Sequence, residues 1–166
     1  MKEEFRTIEV RKIVDNPFKL IGDDWMLITA GTPTRFNMMT ASWGGVGVLW
    51  GKEVCFCFIR PERYTYDFME EAQTFTLTFF EEKYRDILEL CGTKSGRDLD
   101  KVAATGLTVI SGAGEGVYFA EARLVLECKK IYYQDLNPEC FLYADIRRHY
   151  LVDGYHRLYI GAILRC

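Results

Sequence analysis

Asn37-Met38-Met39-Thr40-Ala41-Ser42-Trp43-Gly44-Gly45 reads as a strand that breaks into a glycine-loosened turn lined with small hydroxylated residues. Glycine lets a second backbone or a ligand come close. With Thr40 and Ser42 beside exposed backbone N–H groups, the strand end can present donors to a flat polar molecule. Taken alone, the same residues also describe a strand ending in a structural Gly-Gly turn.

Outward from this stretch, most periodic segments alternate with period two, as strands of a half-buried sheet do. Phe75, Leu77 and Phe79 interleave with Thr74, Thr76 and Thr78, and Ala122, Leu124, Leu126 and Cys128 share a face opposite Glu121, Arg123, Glu127 and Lys129. The later segment is expected to be a long antiparallel strand with one wetter side. Further strands are expected at 25–30, 36–40, 54–59, 140–150 and 158–164. Helical spacing is confined to short pieces: Thr65, Phe68, Met69 and Ala72 share one face, Tyr84, Ile87, Leu88 and Cys91 another, and a third helix is expected from about Asp98 to Ala104. This pattern predicts a mainly β fold, an antiparallel barrel with short peripheral helices, rather than a doubly wound sheet with regular strand–helix alternation.

Two further polar segments follow in order. Ile59-Arg60-Pro61-Glu62-Arg63-Tyr64-Thr65 sits where a strand yields to a helix, with Pro61 blocking continuation of a central strand. Guanidinium groups, a hydroxyl and the first helical amides can converge there on one anion; the plainer reading is two solvated arginines and Thr65 as a helix cap. Cys91-Gly92-Thr93-Lys94-Ser95-Gly96-Arg97-Asp98 adds two cations, a hydroxyl and a permissive glycine ahead of the third helix, whose amide-rich start favours an anion. Its plainer reading is a polar turn in which Ser95 or Asp98 caps that helix.

Bulk properties narrow the class. A chain of 166 residues with 49% hydrophobic content suits one core, so a single domain over 1–166 is expected. A formal charge of -3 argues against nucleic acid as a partner. Six cysteines without a Cys-x-x-Cys pair, and a charged N-terminus without a long apolar run, predict a reducing cytoplasmic setting and buried thiols. Cys55 and Cys57, two apart in a strand, point the same way and are poorly placed for a disulfide with each other. His149 and His156 are the only histidines and belong to no spaced metal motif, so no metal is expected. No apolar stretch approaches the ~20 residues that span a bilayer. Ser111-Gly112-Ala113-Gly114-Glu115-Gly116 lacks the spacing of a dinucleotide fingerprint and leads into an expected strand from Val117 to Cys128, so it reads as a hairpin loop. No Gly-x-Ser-x-Gly elbow is present.

The three polar segments in this order resemble the flavin reductase-like family of FMN-binding split barrels, which includes the flavoredoxins. The resemblance runs from about Trp25 to about Leu164. It implies a split antiparallel β-barrel, FMN as the cofactor, and a homodimer with flavin near the subunit boundary. By the same resemblance Met39, Thr40, Ala41, Ser42 and Trp43 face the flavin ring, and Arg60, Arg63, Tyr64 and Thr65 with Lys94, Ser95 and Arg97 face its phosphate and ribityl chain. The flavin carries the chemistry, so no catalytic side chain is expected. His156-Arg157-Leu158-Tyr159-Ile160-Gly161 resembles the family's last barrel strand; many members carry Glu where this chain has Ala162, and His156 reads as a packing or interface residue. The implied activity is an NAD(P)H-dependent flavin reductase that meets NADH or NADPH transiently. The alternatives are a flavoredoxin-like carrier between redox proteins and a non-redox FMN-binding barrel.

Overall fold

A computed structural model describes residues 5–112, 114, 116–152 and 154–166. Nine strands form among the described residues: β1 (Met26–Thr32), β2 (Arg35–Ala41), β3 (Gly44–Leu49), β4 (Lys52–Ile59), β5 (Thr74–Phe79), β6 (Val109–Ser111), β7 (Val117–Phe119), β8 (Leu124–Asp135) and β9 (Arg157–Arg165). Seven of them make one antiparallel sheet in the order β2-β1-β5-β8-β9-β4-β3, and β6 and β7 pair separately. The two ends of that order, β2 and β3, are consecutive in the chain and only Ser42 and Trp43 lie between them. The sheet therefore curls until its edge strands meet at one end and diverge beyond it. This is a split antiparallel barrel, mainly β as expected, and Ser42-Trp43 marks the seam.

The barrel interior is filled by alternate residues of the strands, among them Met26, Ile28, Met39, Cys55, Cys57, Phe75, Leu77, Phe79, Leu126 and Tyr159. A second cluster, with Leu27, Met38, Leu88, Cys91, Leu107 and Phe119, covers the outer face of β1 and β2. It forms because helix α2 (Arg85–Thr93) buries Leu88 and Cys91 there. Helix α1 (Tyr64–Glu71) buries Thr65, Phe68 and Met69. Cys55, Cys57, Cys91 and Cys128 are free and buried, with the Cys55 and Cys128 sulfurs 3.4 Å apart, whereas Cys140 is exposed. Burial pushes the Cys57 and Cys128 thiols up, which keeps them protonated.

Five expectations are corrected. The glycine-rich stretch after Trp43 is a strand, β3, paired with β4 from Gly44↔Cys57 to Leu49↔Lys52, and the turn is only Ser42-Trp43. The threonine face of β5 is not wet, because Thr76 and Thr78 are buried and Thr76 donates to the Val117 carbonyl. On β8, Val125 and Glu127 are buried as well, so its supposed wetter side begins at Lys129. The strand expected from Val117 ends at Phe119, where the backbone turns and Ala122 N donates to the Phe119 carbonyl. Residues 140–150 form no strand but two 3-10 turns, Pro138–Cys140 and Ala144–Tyr150, started by Asn137 accepting from Glu139 N. The hairpin loop between β6 and β7 stands as expected, although Ala113 and Glu115 lie outside the described residues. No described helix is long and apolar enough to cross a membrane.

Candidate functional site

The seam opens into a cavity of about 210 Å³ lined by Met39, Thr40, Ala41, Ser42, Trp43, Phe58, Arg60, Arg63 and His156. Seven of the twelve expected site residues therefore meet in one place: five from the β2 end and seam, two from the turn after β4. Met39 is buried, the others between Thr40 and Ser42 are half-buried, and Trp43 is 44% exposed. Thr40 donates its hydroxyl to the Leu88 carbonyl, so its O–H anchors the strand end to α2. Gly92 makes this approach possible, since a Cβ there would lie 3.2 Å from the Thr40 Cβ.

The two arginines differ. Arg60 donates from Nη2 to the His149 carbonyl at 2.7 Å and lies 5.3 Å from the Tyr150 ring centroid. Arg63 is half-buried, and no hydrogen bond or ion pair reaches its guanidinium from the described residues. Burial, and then the neighbouring Arg60, lower its pKa. A half-buried cation beside a like charge is costly until an anion joins it.

The remaining candidates lie elsewhere. Tyr64 and Arg97 line a larger cavity of about 600 Å³ together with Asn37, Met38, Gly96 and Lys101. The Arg97 guanidinium stacks 4.6 Å from the Tyr64 ring centroid and pairs with Asp67 at 2.8 Å. Thr65 is buried on the inner face of α1, accepting from Asn37 Nδ2 at 2.8 Å. Ser95 accepts from Arg97 N at 3.2 Å, and exposed Lys94 caps the end of α2. Gly96 is required where the loop leans on β2, because a Cβ there would sit 2.1 Å from Asn37 Oδ1. Helix α3 (Lys101–Thr105) starts later than expected, and its first amides are served by Asp100, which accepts from Ala103 N at 3.0 Å. That helix start already has its anion.

Sequence reasoning missed Phe58 as a wall of the seam cavity and set His156 aside as packing. His156 lines the cavity with its ring 5.1 Å from Trp43, and its Nδ1 is 2.9 Å from Tyr150 Oη. Burial, and after it Arg60, push its imidazole down to about 4, so the ring is neutral near pH 7. Its place directly before β9 was the available signal. No cluster of described His, Cys, Asp or Glu residues has the makings of a metal site.

Residues 20–166 match the family described as the flavin reductase like domain. No curated protein matches the chain. Among solved structures, it is similar to an FMN-binding protein from Thermus thermophilus at 18% identity, covering 96% of this chain and 78% of that one with a TM-score of 0.66. The flavoredoxin of Desulfovibrio vulgaris (Miyazaki F) is 21% identical, with 96% and 74% covered and a TM-score of 0.66. The Streptomyces globisporus C-1027 NADH:FAD oxidoreductase SgcE6 is 13% identical, with 85% and 72% covered and a TM-score of 0.64. With its seven-stranded split sheet and a family match over 20–166, the chain belongs to the flavin reductase like domain family.

Proposed function

We propose that all 166 residues act as one FMN-binding domain, in the cytoplasm, as an NAD(P)H-dependent flavin reductase. The observation that carries this reading is the seam cavity itself: an aromatic and thioether wall of Trp43, Phe58 and Met39 against a half-buried Arg63 that meets no acid among the described residues. The wall suits a flat ring, and Arg63 with Arg60 suits the phosphate of FMN. Bound flavin supplies the redox chemistry, taking electrons as hydride or singly. The chain's own part is to hold the ring, leave one face open and keep the His156 imidazole uncharged beside it.

At about 210 Å³ the cavity is smaller than the roughly 300–1,000 Å³ of sites that engulf a ligand of this size. A second copy closing over the seam as a homodimer supplies the missing wall. A flavoredoxin-like carrier is the second reading, favoured by the exposure of Trp43, which leaves a ring at the seam within reach of a redox protein. FMN, FAD and riboflavin titrations with wild type and Arg63→Met test the site. Arg63→Met is expected to weaken FMN by about 10- to 100-fold, the loss of one charge-assisted bond, and to spare riboflavin. Equal losses for both reject the phosphate role, and absence of any flavin binding by wild type rejects the function. Anaerobic stopped-flow mixing with NADH and NADPH separates the readings. Saturable flavin bleaching supports the reductase, whereas failure with both nucleotides and fast reduction by a low-potential electron-transfer protein supports the carrier.

A further inference from the structure

The excursion between β8 and β9 is closed at its base by Leu136 N donating to the His156 carbonyl at 3.0 Å. It folds back against the turn after β4. Gly154 N donates to Glu62 Oε1 at 2.5 Å, and the His149 carbonyl accepts from Arg60. Within the excursion the Tyr150 ring is held on two sides, stacked on Phe141 at 5.7 Å and tilted against Tyr155 at 5.0 Å. These contacts fix the Tyr150 hydroxyl 2.9 Å from His156 Nδ1.

Which atom donates follows from the chemistry of the two groups. A phenol is a good donor and a weak acceptor, and the unprotonated nitrogen of a neutral imidazole is a good acceptor. A neutral ring holds one hydrogen, so a ring that accepts at Nδ1 must carry it on Nε2. The charged and titratable groups among the described residues that face the ring favour this neutral form: Arg60, Arg63 and His149 oppose a further positive charge, and of these groups only Glu62 supports one. Burial pushes the Tyr150 phenol up, so it keeps its proton.

We infer that Tyr150 is a positioning residue that fixes His156 as its Nε2–H tautomer, making the ring a hydrogen-bond donor to an acceptor oxygen of the molecule held in the seam cavity. The tautomer rests on the Tyr150 contact alone; the nature of the molecule rests on the flavin reading. The acceptor belongs either to the flavin or to a nucleotide lying against it, and the chemistry is the same for both.

Two experiments test this. Long-range 15N–1H spectra of the histidine-labelled full chain, without flavin, read the tautomer directly, and His149→Gln identifies the His156 signals. Wild type is expected to show Nε2–H with no titration between pH 5.5 and 8, and Tyr150→Phe to show a mixture of tautomers. An Nδ1–H pattern in wild type, or an unchanged spectrum in Tyr150→Phe, overturns the inference. For the ligand, a glutamine amide nitrogen reaches where Nε2 stood and an asparagine does not. His156→Asn is expected to lose about 5- to 20-fold, the scale of one neutral hydrogen bond, His156→Gln to lose less than His156→Asn, and Tyr150→Phe to lose only about 2-fold because its mixed tautomers keep the donor on Nε2 part of the time. Loss in FMN affinity puts the acceptor on the flavin, and loss only in reduction by NADH or NADPH puts it on the nucleotide. Equal behaviour of His156→Gln and His156→Asn in both assays overturns the donor role. If wild type binds no flavin, the function falls while the spectra still decide the tautomer.

Discussion

Lys101 carries a charge into the interior: it is 5% exposed, and its Nζ donates at 2.8 Å to both the Met38 and Cys91 carbonyls, tying β2 to the end of α2. Burial lowers its pKa to about 8, against 10.5 for the free side chain. The folded state therefore gives up this proton at lower pH than the unfolded state does, and stability rises as pH climbs from about 8 to about 10. Neutral lysine keeps two N–H groups, enough for both carbonyls. Lys101→Met lacks the titration, so its stability deficit relative to wild type is expected to widen by about 1–2 kcal/mol between pH 7 and pH 9.5. Urea denaturation at both pH values checks it, and a constant deficit disproves the buried charge. At this scale the sequence was partly legible. Arg60 and Arg63 stood out by their place after a strand, but nothing in the order of residues separates buried Lys101 from exposed Lys94, because burial is decided by β2 and α2 closing from distant positions. The freedom of Gly96 was readable; its reason, the Asn37 amide against it, was not.

Among elements, β3 shows how a strand can hide. Gly44, Gly45 and Gly47 blank the alternation that marks a strand, and half of its side-chain positions carry nothing to read. The glycines are not equivalent in the fold. A Cβ on Gly44 would lie 2.5 Å from the Phe56 carbonyl oxygen, a backbone atom fixed by the β3–β4 ladder, whereas on Gly47 the nearest atom is a Phe56 ring carbon at 3.8 Å. Gly44→Ala is expected to cost about 1–3 kcal/mol by overpacking and to weaken flavin binding, since the seam must shift. Gly47→Ala is expected to be neutral or to stabilise by about 0.5–1 kcal/mol through lower chain entropy. Thermal melts of the two variants check the contrast, and similar losses at both sites refute it. The aromatic run over 140–150 misled in the opposite direction, as its strand-like composition belongs to side chains that pack on Arg60, Phe141 and Tyr155 instead of entering a sheet. Elements with clean alternation or helical spacing, β1, β4, β9, α1 and α2, were legible because local pattern and tertiary burial agree there.

For the whole molecule, the seven-stranded order leaves β3 as a sheet edge, and its tip is unusual. The β3–β4 hairpin turns through Trp50 and Gly51, with φ of 52° and 68°, where asparagine followed by glycine is the favoured pair. Trp50 accepts this strained geometry while 61% exposed, its ring 5.9 Å from Tyr132, and Val48 beside it on β3 is 65% exposed. An apolar edge strand of this kind invites another chain. Under the proposed function the occupant is a second copy of this chain, which would also complete the small seam cavity that begins at Trp43 directly before β3. Trp50→Asn separates folding from assembly: asparagine relieves the turn, so the chain is expected to fold at least as stably, yet to lose the contact. In sedimentation velocity, wild type is expected at twice the 19.3 kDa chain mass and Trp50→Asn, or Val48→Glu, at a single mass with flavin affinity reduced about tenfold or more. A wild-type monomer that still binds FMN below micromolar concentration would break the link between assembly and site. A Trp50→Asn protein that unfolds would show instead that the tryptophan serves the hairpin, and that the edge strand owes its apolar face to the fold of one chain.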